Sequence, residues 1–149
     1  MKTLREKGFT LVEILIVMVI LGILAAIVIP QFTQASQEAR ISELINNLQT
    51  IRTQIELYKI QHDNQLPGTA KLDFVSTLTS YTYADGSPSV AGAPRTFGKY
   101  LQRMPKNPFT MTNDVEISGQ EPQPGISAWF FNTSTGQFRA NDSAIHAVY

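Results

Sequence analysis

"KGFTLVEILIVMVILGILAAIVIP", Lys7 to Pro30, is the stretch on which the fold turns. Between Phe9 and Ile29 its only charge is Glu13. At the helical rise this run is ~31 Å long, close to the ~30 Å hydrocarbon core of a bilayer. A carboxylate at the centre of a membrane helix costs roughly 2.5–3.5 kcal/mol, and less near an end, so its retention needs a physical reason. Ahead of the run stand Lys2, Arg5 and Lys7 against one acid, Glu6. The positive-inside tendency keeps that segment cytoplasmic and sends the chain after Pro30 across the membrane. An ordinary cleaved signal peptide fits poorly: its apolar region spans about 7–15 residues before a small-x-small site, and "GILAAIVIP" offers none.

The 149 residues amount to about one domain. Removing residues 1–8 takes three cations and one anion from twelve of each, leaving nine against eleven and a formal net charge of −2. Neither this balance nor its distribution suggests a nucleic-acid groove. With no cysteine, the exported part has no disulfide staple, although its compartment would permit one.

After Pro30, Ile41, Leu44, Leu48, Ile51, Ile55, Tyr58 and His62 alternate steps of three and four, one stripe along a helix. Glu38, Arg40, Glu43, Asn47, Arg52, Glu56 and Lys59 occupy the other faces, with Arg52 and Glu56 spaced to pair. The reading is one helix from Phe9 to about Gln61, ended by Leu66-Pro67-Gly68, its first half in lipid and its second packed on a small domain. A coiled coil would need a longer repeat than these three heptads. A short helix is expected within Leu72–Tyr81, a loop over Asp85–Pro94, and an extended or turned connection at Pro105 and Pro108. A polyproline ligand is the disfavoured alternative for those prolines. Asp114–Ser118 reads as a strand. Ile126–Asn132 and Gln137–Asn141 read as a hairpin around "TSTG", with Trp129, Phe131 and Phe138 inward and Phe130 on the opposite face. His146–Tyr149 is expected to add a last strand.

A cut between Gly8 and Phe9 would leave an ammonium on Phe9, one helical turn and ~6 Å from Glu13. A subunit displaced along the helix axis could then present its Phe9 ammonium to this Glu13. Such a pair in low dielectric adds little stability, but an unpaired member is costly, so it specifies recruitment and register. The competing reading leaves Glu13 hydrated at the membrane interface.

The same stretch resembles the N-terminal motif of type IV prepilins and pseudopilins, matching at Gly8, Phe9, Thr10, Leu11, Glu13 and Pro30. "LQTIRTQIELYKIQHDNQLP" (Leu48–Pro67) and "YLQRMPKNPF" (Tyr100–Phe109) are similar to the major pseudopilin of type II secretion. The resemblance implies that a prepilin peptidase cuts after Gly8 and N-methylates Phe9, that Glu13 is the assembly carboxylate, and that Gly22 and Pro30 bracket a stretch able to kink or unwind in a filament. It implies an α+β fold: a long N-terminal helix, membrane-spanning in its first half, on a small C-terminal domain with an antiparallel β-sheet. The expected divisions are a leader at 1–8, an assembly helix at 9–30, its amphipathic continuation at 31–62 and a globular head at 63–149.

The implied function is a structural subunit of a type II secretion pseudopilus in the bacterial inner membrane, with its head in the periplasm. Implied partners are the peptidase, copies of itself in a helical filament, minor pseudopilins and an inner-membrane assembly platform, with no nucleic acid. The alternative is a type IV pilin for adhesion, twitching or DNA uptake. Major pseudopilins typically carry an acid-rich calcium loop, whereas here Asp142 is the only acid after Phe131, with Asp114, Glu116 and Glu121 scattered. No cofactor or metal is therefore expected, since calcium needs about six to eight oxygens. No nucleophile motif or phosphate loop points to an enzyme, and His62 and His146 are too far apart in sequence to suggest a metal pair. The N-x-S/T matches at Asn132 and Asn141 are of a kind that arises by chance.

Overall fold

The computed structural model describes residues 8–69 and 71–149, so the expectation for the leader lies, apart from Gly8, outside the described residues. The chain divides into two compact units, Met1–Ala39 and Arg40–Tyr149. Helix α1, Leu11–Gln61, contributes to both. From Gly8 to Ala39 every residue is exposed, including Phe9, Met18, Leu21 and Phe32. By length and composition this part of α1 can cross a membrane.

In the second unit, the head, the expected stripe is the core. Leu44, Leu48, Ile51, Ile55, Tyr58 and His62 are buried, and Ile41 is half-buried at its start. Against them lie Phe74, Leu78, Tyr100, Leu101, Met104, Trp129, Phe131 and Phe138. Each large side chain buried this way contributes about 1.5–3 kcal/mol. Phe74 sits 4.3 Å from Phe131 and 5.7 Å from Phe138, ring centre to ring centre. The expected Arg52–Glu56 pair does not form. Arg52 instead donates through Nε to the Phe138 carbonyl at 2.9 Å and through Nη2 to the Tyr149 carbonyl at 2.5 Å, while Glu56 takes Lys59 at 2.9 Å. The pair given up is a surface i,i+4 pair of the kind worth only about 0.3–0.5 kcal/mol.

Helix α1 ends before the Leu66-Pro67-Gly68 signal. Asp63 and Asn64 take left-handed backbone angles, and the Asn64 N–H donates to the Lys59 carbonyl at 2.8 Å, closing the last turn. Helix α2, Phe74–Thr79, starts on Asp73, whose carboxylate accepts from the Ser76 N–H at 3.0 Å. The expected loop at Asp85–Pro94 contains a two-residue strand: β2, Pro88–Ser89, pairs antiparallel with β1, Tyr81–Thr82. Asp85 builds the turn between them by accepting from the Ser87 N–H (3.0 Å) and hydroxyl (2.6 Å).

The second sheet has the order β3–β4–β5, from Val115–Ser118, Trp129–Asn132 and Phe138–Ala140. Its β4–β5 hairpin is antiparallel as expected, with Phe131 opposite Phe138 and Trp129 opposite Ala140. Gly136 turns it at φ +75°, where a β-carbon would also stand 2.8 Å from Leu66 Cδ2. Strand β3 joins β4 in parallel, so the sheet is mixed. The connection over 119–128 makes this geometry reachable, since a parallel neighbour needs a crossover rather than a tight turn. Phe130 points to the opposite face from Trp129 and Phe131, and it is buried there with the Arg139 guanidinium 5.8 Å from its ring centre.

The tail is a correction. His146–Val148 is a 3₁₀ turn, not a strand. The His146 ring bonds back to the Asp142 carboxylate, the His146 backbone N–H donates to Ser143 Oγ, and the ring centre lies 4.0 Å from that of Phe109. These local bonds satisfy the backbone as a turn and leave no ladder for a strand to join.

Candidate functional site

The site begins where α1 begins. Gly8 is exposed, and nothing stands within 4 Å of where a β-carbon would project, so both sides of the Gly8–Phe9 bond are open. Phe9 is 82% exposed. Thr10 occupies the position before the helix. Its N–H and its hydroxyl both donate to Glu13 Oε2 at 2.9 Å, and the Glu13 N–H donates back to the Thr10 hydroxyl at 3.2 Å. This reciprocal arrangement is a capping box: each side chain satisfies a backbone N–H that the first helical turn leaves unpaired.

Thr10 is the residue that the charge argument for Glu13 passes over. The signal was present, since Thr10-Leu11-Val12-Glu13 has the T-x-x-E spacing of such a box. Within one chain, then, Glu13 is aimed back at the start of the helix, with the Phe9 side of the chain beside it. Among the described residues Glu13 forms no ion pair. Gly22 and Pro30 both lie inside α1, which runs through them without interruption. Gly22 has open space around it. Near Pro30, the Thr33 hydroxyl donates to the Ile29 carbonyl at 3.2 Å.

The head brings together no comparable constellation. His62 is fully buried, with Nδ1 2.9 Å from the Tyr58 carbonyl and Nε2 2.9 Å from the Thr82 hydroxyl, and its ring stacks on Tyr58 at 3.8 Å. The acids weighed for calcium each have protein partners. Asp114 accepts from the Ala128 N–H, Glu116 from Asn141, and Glu121 from Arg139, while Asp142 accepts from Asn107 and pairs with His146. Among the described residues, no three His, Cys, Asp or Glu side chains gather as a metal site. Asn132 and Asn141 are buried and hydrogen-bonded through their side chains, so neither presents an amide to a modifying enzyme.

Comparison with known proteins covers both halves of the chain. A family model described as the prokaryotic N-terminal methylation motif matches residues 3–29. Type II secretion system core protein G of Aeromonas hydrophila is 30% identical over 123 residues, 80% of this chain and 79% of that protein. The protein of the same name from Pseudomonas aeruginosa is 31% identical over 111 residues, 73% of this chain and 72% of that one. A ComG operon protein 3 homolog of Bacillus licheniformis is 36% identical over 70 residues, which is 47% of this chain and 72% of that one. No solved structure matches the chain at a significant level. The core protein G matches extend well into the head as well as along the N-terminal motif, and by them the chain belongs to the type II secretion core protein G family, as a pseudopilin subunit.

Proposed function

We propose that this chain is matured by cleavage between Gly8 and Phe9, N-methylated on Phe9, and assembled through α1 into a pseudopilus that supports protein export. The single observation that carries this reading is the Thr10–Glu13 box directly after an open Gly8–Phe9 bond. Cleavage would place a methylated but still cationic amine beside a carboxylate already aimed at the helix start. In a filament, the Phe9 amine of an adjacent, axially displaced copy would compensate Glu13, and a charge left unpaired in lipid would penalise any other register.

The basic leader supports an orientation with residues 1–8 in the cytoplasm and the head in the periplasm. A membrane prepilin peptidase, an assembly platform and minor pseudopilins are the partners this life cycle requires. Gly22 lowers helix propensity, and Pro30 cannot donate to the Ala26 carbonyl, so the stretch between them is the place where α1 would yield on packing. The role is structural rather than catalytic. The core protein G relatives favour secretion over a surface pilin because their matches span the head as well as the motif.

Intact mass and N-terminal fragment ions of the protein from its native membrane test the maturation. A chain beginning at Phe9 with one added methyl group is expected. A chain that keeps Met1 in cells with an active prepilin peptidase would remove the cation on which the account of Glu13 depends.

A further inference from the structure

We infer that a groove on the head binds a phosphate ester carrying an ammonium group, the chemistry of a phosphoethanolamine headgroup. The groove, about 770 Å³, lies between α1 and the connection that follows Leu101, and every residue lining it belongs to the head. Arg40, Arg103 and Lys106 line it, and Glu43 is its one acid. All four residues are exposed. Among the described residues none of the four forms an ion pair, although Arg40 and Glu43 stand three apart on α1, a spacing at which opposite charges can meet. Three cations without acid partners in one concave surface focus a field that draws an anion.

The walls are fixed before any ligand arrives. Asn47 Nδ2 donates to the Lys106 carbonyl at 3.3 Å, and Trp129 Nε1 donates to the Pro105 carbonyl at 2.9 Å. The connection is thus tied to α1 on one side and to β4 on the other. Between these ties, buried Asn107 donates to the Ala128 carbonyl and accepts from the Phe109 N–H, both at 2.9 Å. Pro105 and Pro108 restrict the backbone further through their fixed φ. A wall held this way does not have to be ordered by the ligand, which lowers the cost of binding.

The charges select the ligand. Two guanidinium forks and one lysine ammonium suit the several oxygens of a phosphate. A bare phosphate would meet Glu43 as a like charge in the same groove. A phosphate ester with an ammonium a short chain away sets opposite charge against both the three cations and the acid. Membrane lipid headgroups and free phosphate esters share this chemistry. The reading is independent of the Phe9–Glu13 contact proposed above.

Calorimetric titration of the full chain in maltoside micelles tests it, with glycerophosphoethanolamine, inorganic phosphate and ethanolamine as probes. Glycerophosphoethanolamine is expected to bind saturably, and more tightly than either of the others. Arg103→Gln with Lys106→Gln, two exposed positions, should weaken it by more than about tenfold while leaving the thermal melt unchanged. Glu43→Gln should weaken glycerophosphoethanolamine but not inorganic phosphate. Absence of saturable heat, or binding that survives the Arg103→Gln, Lys106→Gln pair, would overturn the site. Inorganic phosphate binding as tightly as glycerophosphoethanolamine, or Glu43→Gln leaving their ratio unchanged, would overturn the ammonium half of the assignment. Doping the micelles with phosphatidylethanolamine separates the two sources. Weaker apparent binding of the soluble probe then identifies a lipid headgroup as the ligand, and unchanged binding identifies a free ester.

Discussion

In the proposed assembly the Glu13 side chain serves two ends. Its carboxylate closes the first turn of α1 through Thr10, which offsets part of the cost of carrying it in an apolar run. The same closure keeps it beside the chain end that cleavage would make cationic. Asp85 is a simpler case of a carboxylate held by its neighbours. The Ser87 hydroxyl first, then the Ser87 N–H and Lys71, hold its pKa at about 2 against the ordinary 3.8. A group depressed on folding contributes stability above its unfolded pKa and loses that contribution as pH falls through the folded value. The β1–β2 turn should therefore stay closed through ordinary acid conditions and loosen only between pH 3.8 and about 2. An NMR titration of the Asp85 carboxyl carbon should place its midpoint near 2, whereas a midpoint at 3.8 would show that the Ser87 bonds do not form in solution. Glu13 was legible as a misplaced charge because charge is visible in a string of letters. Its partner Thr10 is legible only through spacing, and the Ser87 bonds depend on a turn that composition alone does not specify.

At the scale of elements, what could be read was whatever has a period. The three-four stripe from Leu44 to His62 is buried as its spacing requires, and the glycine-bearing turn of "TSTG" does form the β4–β5 hairpin. What could not be read depends on non-local partners. Two-residue β2 exists only because β1 lies opposite it, and parallel β3 pairs with a strand reached by a ten-residue crossover. The tail becomes a 3₁₀ turn because His146 finds Asp142 and Phe109, neither of which the alternation of apolar residues reports. That His146–Asp142 pair bears on calcium. With Asp142 also accepting from Asn107 at 2.8 Å, a cation at this loop would have to break bonds that already satisfy the carboxylate. Calorimetric titration of the full chain in detergent should show no heat at micromolar calcium; saturable heat there would mean that the loop rearranges into a site.

For the whole molecule, the two units divide the labour. The first exposes a helix with an apolar stretch long enough to cross a membrane, and the second carries its own core. In the proposed filament, assembly is what the N-terminal unit specifies, and Glu13 is the group on which that specification turns. The most direct test is filament yield for Glu13→Gln in cells that assemble the native chain, with maturation followed by mass. The account predicts a chain still cut at Gly8 and methylated at Phe9, with a folded head and filaments lost. Each contact would leave the Phe9 amine unpaired in lipid at a cost of about 3–5 kcal/mol, more than a hundredfold in association. Filaments at native yield from matured Glu13→Gln protein would contradict it.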